Sequence, residues 1–274
     1  MTPASRRADI KAVANEVLAA WFGVTQIVPF TSRTDGLSLA EAYYVTPLLR
    51  SAFEARGEII TGRKIGFTNQ DMWGRFGVTS PIWGYTTSTT ICDLAATPAI
   101  SLKPFSEPRI EPEIMFGLRS PPRPGMTDVA LVDCMAWVSL GFEIVQSIYP
   151  GWKFGAADTV AANGLHGALC VGQLHALSPP KESWLRELGT FTVDLSCNGK
   201  LVHHGGGSLV LGSPLQALRH LVELLAHDKS SPPLSAGEII STGTLTLAAP
   251  VKPGERWTAT VSGIALEDIA IQFE

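Results

Sequence analysis

The chain has 274 residues, of which 45% are hydrophobic and 17% charged, and its formal net charge is −4. That is enough apolar material for one large domain with an appendage, or for two small ones. The mild acidity removes any electrostatic case for nucleic acid or an anionic membrane surface, although a metal could still hold an anionic substrate.

Arg6 and Arg7 stand near the start, but Lys11, Asn15 and Glu16 break up the next apolar stretch, so no signal-peptide core forms. No apolar run is long enough to span a bilayer. A cytoplasmic protein is the expectation. Ile10, Val13, Val17 and Trp21 fall at helical spacing, which predicts a helix over 8–22 that stops at Gly23. Ser38-Leu39-Ala40-Glu41 is a capping box that opens a second helix. That helix runs towards Ala55 and contains Pro47, which bends it.

From about Gly62 short apolar runs alternate with glycine, proline and threonine. Lys64 lies among small and apolar neighbours in Gly62 to Thr68, so it reads as partly buried. Burial lowers a lysine pKa and suits it to moving protons; the plainer reading is a surface lysine at a strand start.

Arg109 to Phe116 reads as a strand. Alternate side chains of an extended chain share a face, so Glu111 and Glu113 point one way. Ile110, Ile114 and Phe116 point the other way, into a core. A third acid, Glu143, stands alone in the apolar run Ala136 to Val145. Three convergent carboxylates need a cation, and Mg2+ suits an all-oxygen set. A wet strand face, or pairing of one acid with Arg109, is the structural alternative.

His166 falls in a polar loop. Phe191 to Ser196 and Leu201 to His203 flank Asn198-Gly199, a hairpin signal. Gly205-Gly206-Gly207 lacks the spacing of a nucleotide loop. His203 and His204 are adjacent, so in a strand they face opposite ways, and both are assigned to the hairpin. Ser213-Pro214 starts a helix with a stripe from Leu215 to Leu225. Ile239 to Leu247 reads as a strand, Pro253-Gly254 as a turn, and Ile269, Ile271 and Phe273 as the inward face of a last strand. Cys92, Cys134, Cys170 and Cys197 are far apart in sequence, form no C-x-x-C pair, and read as small buried hydrophobes. The whole is α+β: a helical N-terminal region over 1–61 and a β-rich core over 62–274.

These residues together resemble the 2-hydroxypentadienoate (2-oxopent-4-enoate) hydratase and 4-oxalocrotonate decarboxylase family, within the fumarylacetoacetate hydrolase-like superfamily. The markers span nearly the whole chain. They are Gly62-Arg63-Lys64-Ile65-Gly66 with Thr68, Pro81, Gly84, Arg109 to Ile114, Phe142-Glu143-Ile144-Val145 and Asp158 to Ala161 with Asn163. They continue through Asn198-Gly199, Gly207, Leu211 to Leu215, and Thr242-Gly243-Thr244. The resemblance implies a mixed β-roll core and a homo-oligomer. It implies Mg2+ or Mn2+ held by Glu111, Glu113 and Glu143, with Lys64 as the catalytic residue. It also implies that Arg109, Asn163, His166 and Thr244 serve the substrate, a small 2-oxo acid.

Two stretches depart from the family pattern. Thr79 to Gly84 lacks the acids of Asp-x-Pro-Asp, and Ala161 to Leu165 lacks the Asp and Ser of Ala-Asp-Asn-x-Ser. The reaction implied is hydration of a 2-hydroxypentadienoate-like substrate in meta-cleavage of aromatic compounds. Decarboxylation of a 2-oxo diacid and tautomerisation use the same enolate. Hydrolytic carbon–carbon cleavage lacks a clear histidine–glutamate pair here. A non-catalytic, metal-bound partner of a related decarboxylase is the reading of a different class, and an active enzyme could associate with such a decarboxylase too.

Overall fold

The computed structural model describes residues 3–177 and 181–274. Two helices lead, α1 (Pro3–Gly23) and α2 (Leu39–Ala55). The capping box forms as the sequence predicts: Ser38 Oγ accepts from the Glu41 N–H, and Glu41 Oε2 accepts from the Ser38 N–H at 3.0 Å. Pro47 lies inside α2.

Next in the chain are β1 (Ile60–Gly66), α3 (Trp73–Phe76), β2 (Ile82–Thr87), β3 (Ile91–Asp93), β4 (Ala99–Ile100) and β5 (Arg109–Leu118). After these come α4 (Asp128–Asp133), β6 (Met135–Val145), α5 (Ala156–Ala161), β7 (His166–Val171) and β8 (His175–Ala176). The chain continues through α6 (Lys181–Thr190), β9 (Thr192–Cys197), β10 (Lys200–Gly206) and α7 (Pro214–His227). It closes with β11 (Ile239–Thr244), β12 (Ala249–Pro250), β13 (Arg256–Ser262) and β14 (Ile269–Phe273).

Among the described residues the strands form two sheets. The larger runs β2-β1-β11-β5-β6-β7-β3, with β12 on β5 and β8 on β6; the smaller runs β10-β9-β13-β14-β4. The two longest strands, β5 and β6, pair antiparallel in the middle of the larger sheet, and their register sets Glu111 opposite Glu143. Ile110, Ile114 and Phe116 are fully buried on the other face of β5. Their burial fixes which way the acids point, because a one-residue slip would drive the carboxylates into the core.

The N-terminal helices do not stand apart. Val17, Val45 and Leu49 share one apolar core with Ile82, Ile148, Tyr149 and Val160. The first strand begins at Ile60, close to the expected change of character at residue 62.

Two local expectations are corrected, and two further features gain a structural setting. His166 is not a loop residue: it opens β7 and is buried. The strand from Ile239 ends at Thr244, short of Leu247, because Gly243 takes a left-handed conformation (φ +101°). Cys92 and Cys170, distant in sequence, are register partners on the parallel pair β3 and β7. The glycine run is a packing device, since a Cβ on Gly205 would lie 2.0 Å from the Leu245 carbonyl oxygen.

A candidate metal centre and its cavity

Glu111, Glu113 and Glu143 each offer a carboxylate oxygen, and these oxygens all lie within 4.8 Å of one another. Glu113 and Glu143 are fully buried. Each acid is held differently. Ser241 Oγ donates to Glu113 Oε2, and the Gly243 N–H donates to the same oxygen at 2.9 Å. Only glycine fits at position 243, because a Cβ there would sit 2.0 Å from Thr68 Oγ1. Glu143 Oε1 lies 2.8 Å from His166 Nδ1, and His166 Nε2 lies 2.8 Å from Thr90 Oγ1. Lys64 Nζ stands 3.2 Å from Glu143 Oε2 and donates to the Gly164 carbonyl at 2.9 Å.

Electrostatics separate the three acids. Burial pushes the Glu111 carboxyl up to about 7; Lys64 works against the shift and Glu143 adds to it. Burial, then the charges of Glu143 and Glu111, hold Glu113 well above the usual carboxylate range. Burial also opposes ionisation of Glu143, but Lys64 and His166 outweigh it and pull that carboxyl down. The expected lowering of the Lys64 pKa does not occur. Burial does act that way, yet Glu143, Glu111 and Glu113 together overcome it, and the ammonium is held above its ordinary value.

The donor set fits a hard divalent cation. It consists of carboxylate oxygens, the ligands Mg2+ and Mn2+ prefer. Glu113 Oε1 and Glu143 Oε2 are buried with no hydrogen-bond partner, although Lys64 is in ion-pair reach of the latter off the hydrogen-bond direction. Buried, unsatisfied carboxylate oxygens are costly unless something charged completes them.

A cavity of about 300 Å³ opens over the site, with Lys64, Glu111 and Glu113 in its wall. Arg109 and Thr244 also line it, and the Arg109 guanidinium sits 4.2 Å from the centre of the Trp152 ring. Phe67, Ile82, Trp152, Phe154, Leu165 and Leu247 make the rest largely apolar.

Asn163 and His166 are not brought to this cavity. The Asn163 amide is used up on one neighbour: its Oδ1 accepts from the Tyr85 N–H at 2.7 Å, and its Nδ2 donates to the Tyr85 carbonyl at 2.8 Å. That clamp fixes the turn carrying the Gly164 carbonyl, which in turn holds Lys64. His166 stands behind Glu143. Both residues instead face a second cavity, between the N-terminal helices and β2–β3.

Sequence reasoning missed Ser241, Trp152 and Phe154, and it set His203 aside. Ser241 could have been found from alternation, since it shares a face of β11 with Gly243. For the aromatic pair no local signal exists.

A mixed sheet with three acids converging from its two central strands defines a class: a β-roll protein with a candidate divalent-cation centre under a small, largely apolar cavity. The pattern of the fumarylacetoacetate (FAA) hydrolase C-terminal family matches residues 95–268, and the chain belongs to that family. It is similar to 2-hydroxyhexa-2,4-dienoate hydratase of Comamonas testosteroni (29% identity, 90% of each chain). It is also similar to 2-hydroxypent-2,4-dienoate hydratase of Pseudomonas putida (31% identity, 80% of this chain and 96% of that one). Among solved structures, 4-oxalocrotonate decarboxylase from Pseudomonas putida G7, complexed with magnesium and adipate, superposes with a TM-score of 0.88 at 28% identity over 98% of both chains.

Proposed function

We propose that the protein is a metal-dependent hydratase acting on a small 2-hydroxydienoate, the enol form of an unsaturated 2-oxo acid, as in meta-cleavage catabolism of aromatic compounds. The observation that carries this reading is the triad of half-buried Glu111 with fully buried Glu113 and Glu143, in which Glu113 Oε1 and Glu143 Oε2 lack a hydrogen-bond partner. The likeness to hydratases over 80–90% of the chain supports it.

Mg2+ or Mn2+ held by the triad would polarise the substrate's carbonyl and lower the energy of its enolate. The chain's own residues do the rest. Ser241, Gly243 and His166 keep the carboxylates aimed. Lys64 keeps a positive charge beside Glu143, against the head of the substrate where negative charge develops. Arg109 offers its cation to the substrate carboxylate, and Thr244, whose hydroxyl donates to the Thr246 carbonyl at 3.0 Å, shapes the wall beside it. The wall of Phe67, Ile82, Trp152 and Phe154 keeps bulk water from the diene.

The test is a steady-state assay of 2-hydroxypenta-2,4-dienoate with Mg2+ and with a chelator. Loss of dienol absorbance that requires the metal is expected; no metal-dependent turnover on dienoates of any tail length overturns the reading. Decarboxylation of a 2-oxo diacid is the second reading, favoured by the likeness to the decarboxylase and by Arg109 as a cation outside the triad. Release of CO2 from 2-oxohex-3-enedioate, faster than hydration, would select it. A homo-oligomer is also proposed, on the exposed Leu201 and Val202 of the edge strand β10, with light scattering as its test. Among the described residues no helix is long and apolar enough to cross a membrane.

A further inference from the structure

His203 enters the cavity through a strand irregularity that alternation conceals. On β10, Leu201 pairs with Ser196, but His203 pairs with Leu195, so Val202 is an extra residue: a β-bulge. A bulge resets which side chains face which way, and such features recur next to active sites. Without it His203 would lie opposite Asp194. With it, His203 is set opposite the fully buried Leu195, while His204 is set opposite Asp194 and bonds that carboxylate at 2.6 Å in solvent.

Close packing completes the placement. Gly205 lies tight against the Leu245 carbonyl, and the Gly206 N–H donates to that same oxygen at 2.9 Å. Two residues on from Leu245 is Leu247, part of the cavity wall together with His203. The glycines thus dock β10 onto the segment between β11 and β12, and His203 is carried to the cavity with them.

The cavity has a polar, buried end and an open end. Glu113 is 0% and Lys64 3% exposed, whereas Leu247 is 47% exposed and His203 is half-buried. A 2-oxo acid head belongs with the carboxylates and Lys64, so its carbon tail runs towards His203. Five titratable side chains line the cavity: Lys64, Arg109, Glu111, Glu113 and His203. The two glutamates belong to the metal set. Arginine does not give up its proton, and Lys64 is locked in an ion pair. The His203 imidazole, which can donate a proton from one ring nitrogen and accept one at the other, is the remaining group.

We propose that His203 is a catalytic acid–base residue for the tail of the substrate. The proposal rests on the hydratase reading. As the dienol gives its hydroxyl proton to solvent water, C2=O forms, the C2=C3 pair shifts to C3=C4, and the C4=C5 pair takes a proton from the imidazolium at C5. The neutral ring then takes a proton from the water whose oxygen bonds C4, as the C3=C4 pair shifts to C2=C3 and the carbonyl pair returns to the oxygen as an enolate. The proton released from the hydroxyl ends on C3, and the sum is one water added. This assignment supplies a proton relay to a chain that lacks the acids of the family's Asp-x-Pro-Asp and Asp-Asn stretches.

The experiment has two arms. In the first, imidazole resonances of 15N-labelled protein are monitored with Mg2+ plus oxalate, which has a head and no tail, and with Mg2+ plus 2-oxopentanoate. The His203 signal, assigned with H203Q, is expected to move with the tailed ligand and to stay with oxalate. In the second, H203Q is expected to lower kcat about 100-fold with KM within threefold, and H203A to regain about tenfold with added imidazole, at unchanged Mg2+ affinity. An unmoved His203 signal on bound 2-oxopentanoate, or full kcat in H203Q, overturns the proposal and leaves the hydratase reading standing. Failure of both ligands to bind with Mg2+ overturns that reading itself.

Discussion

Glu113 is the residue on which the site depends most. It is fully buried, it accepts from Ser241 and Gly243 through one oxygen, and its other oxygen has no partner. Donors that grip a metal ligand in this way orient it without touching the ion. Ser241→Ala is therefore expected to weaken Mg2+ binding by about 10–100-fold, measured by calorimetric titration, with secondary structure unchanged. Wild-type affinity would mean that the Ser241 bond does not orient the carboxylate. The same cluster sets a pH dependence. Burial pushes the Glu111 carboxyl up to about 7 against an ordinary 4.5, and burial with the neighbouring acids also holds Glu113 well above that ordinary value. Between those values the folded state holds protons that the unfolded state has lost, so the metal-free protein loses stability as pH rises. Glu143, shifted the other way, titrates below this window. A cation competes with the same protons, so its effect grows with pH. The metal-free Tm is expected to fall from about pH 5 to about pH 8, while the Mg2+-induced rise increases; Glu111→Gln should flatten both. A metal-free Tm that climbs across this range would refute the assignment.

At the scale of elements, the features legible in sequence are those a few consecutive residues determine. The Ser38–Glu41 box, the Asn198-Gly199 hairpin, the Ser213 cap and the alternation at Ile269 to Phe273 all rest on contacts within a turn or on one strand's faces. Glu111 and Glu113 are legible for the same reason. Their meeting with Glu143 needs a pairing register 32 positions away, which only the family resemblance supplies. His166 and the Asn163 clamp are hidden because each depends on a strand distant in sequence, and the Val202 bulge because the residue pattern of β10 does not mark the extra residue. That clamp can be tested where it packs most tightly. A Cβ on Gly84 would fall 2.2 Å from the Asn163 carbonyl oxygen, which is backbone and cannot rotate away. Gly84→Ala is expected to cost about 3 kcal/mol or more in urea unfolding, and to weaken metal-dependent turnover by loosening Gly164 and Lys64. A local element behaves differently: Ser38→Ala should cost only about 1 kcal/mol, with turnover unchanged, because the α2 cap touches nothing in the cavity.

For the whole molecule, the position of the triad couples metal to global stability. Glu111 and Glu113 come from β5 and Glu143 from β6, the pair at the centre of the larger sheet, so a cation there joins strands that must separate on unfolding. The unfolded chain has no such site, and binding stabilises the native state by mass action. At Mg2+ a hundredfold above Kd the gain is about 2.7 kcal/mol. The N-terminal helices should share it. Val17, Val45 and Leu49 lie in one core with Ile82 of β2 and with Val160 of α5, whose C-terminal end leads into the Asn163–Gly164 turn that holds Lys64. A helical unit that melted on its own would leave part of the far-ultraviolet signal indifferent to the metal. A shared core makes the helices melt with the sheet. Chelation is therefore expected to move the far-ultraviolet transition and the tryptophan fluorescence transition down together, by the same number of degrees. Two transitions, with only the later one sensitive to Mg2+, would show that residues up to about Ala55 fold apart from the metal-bearing sheet.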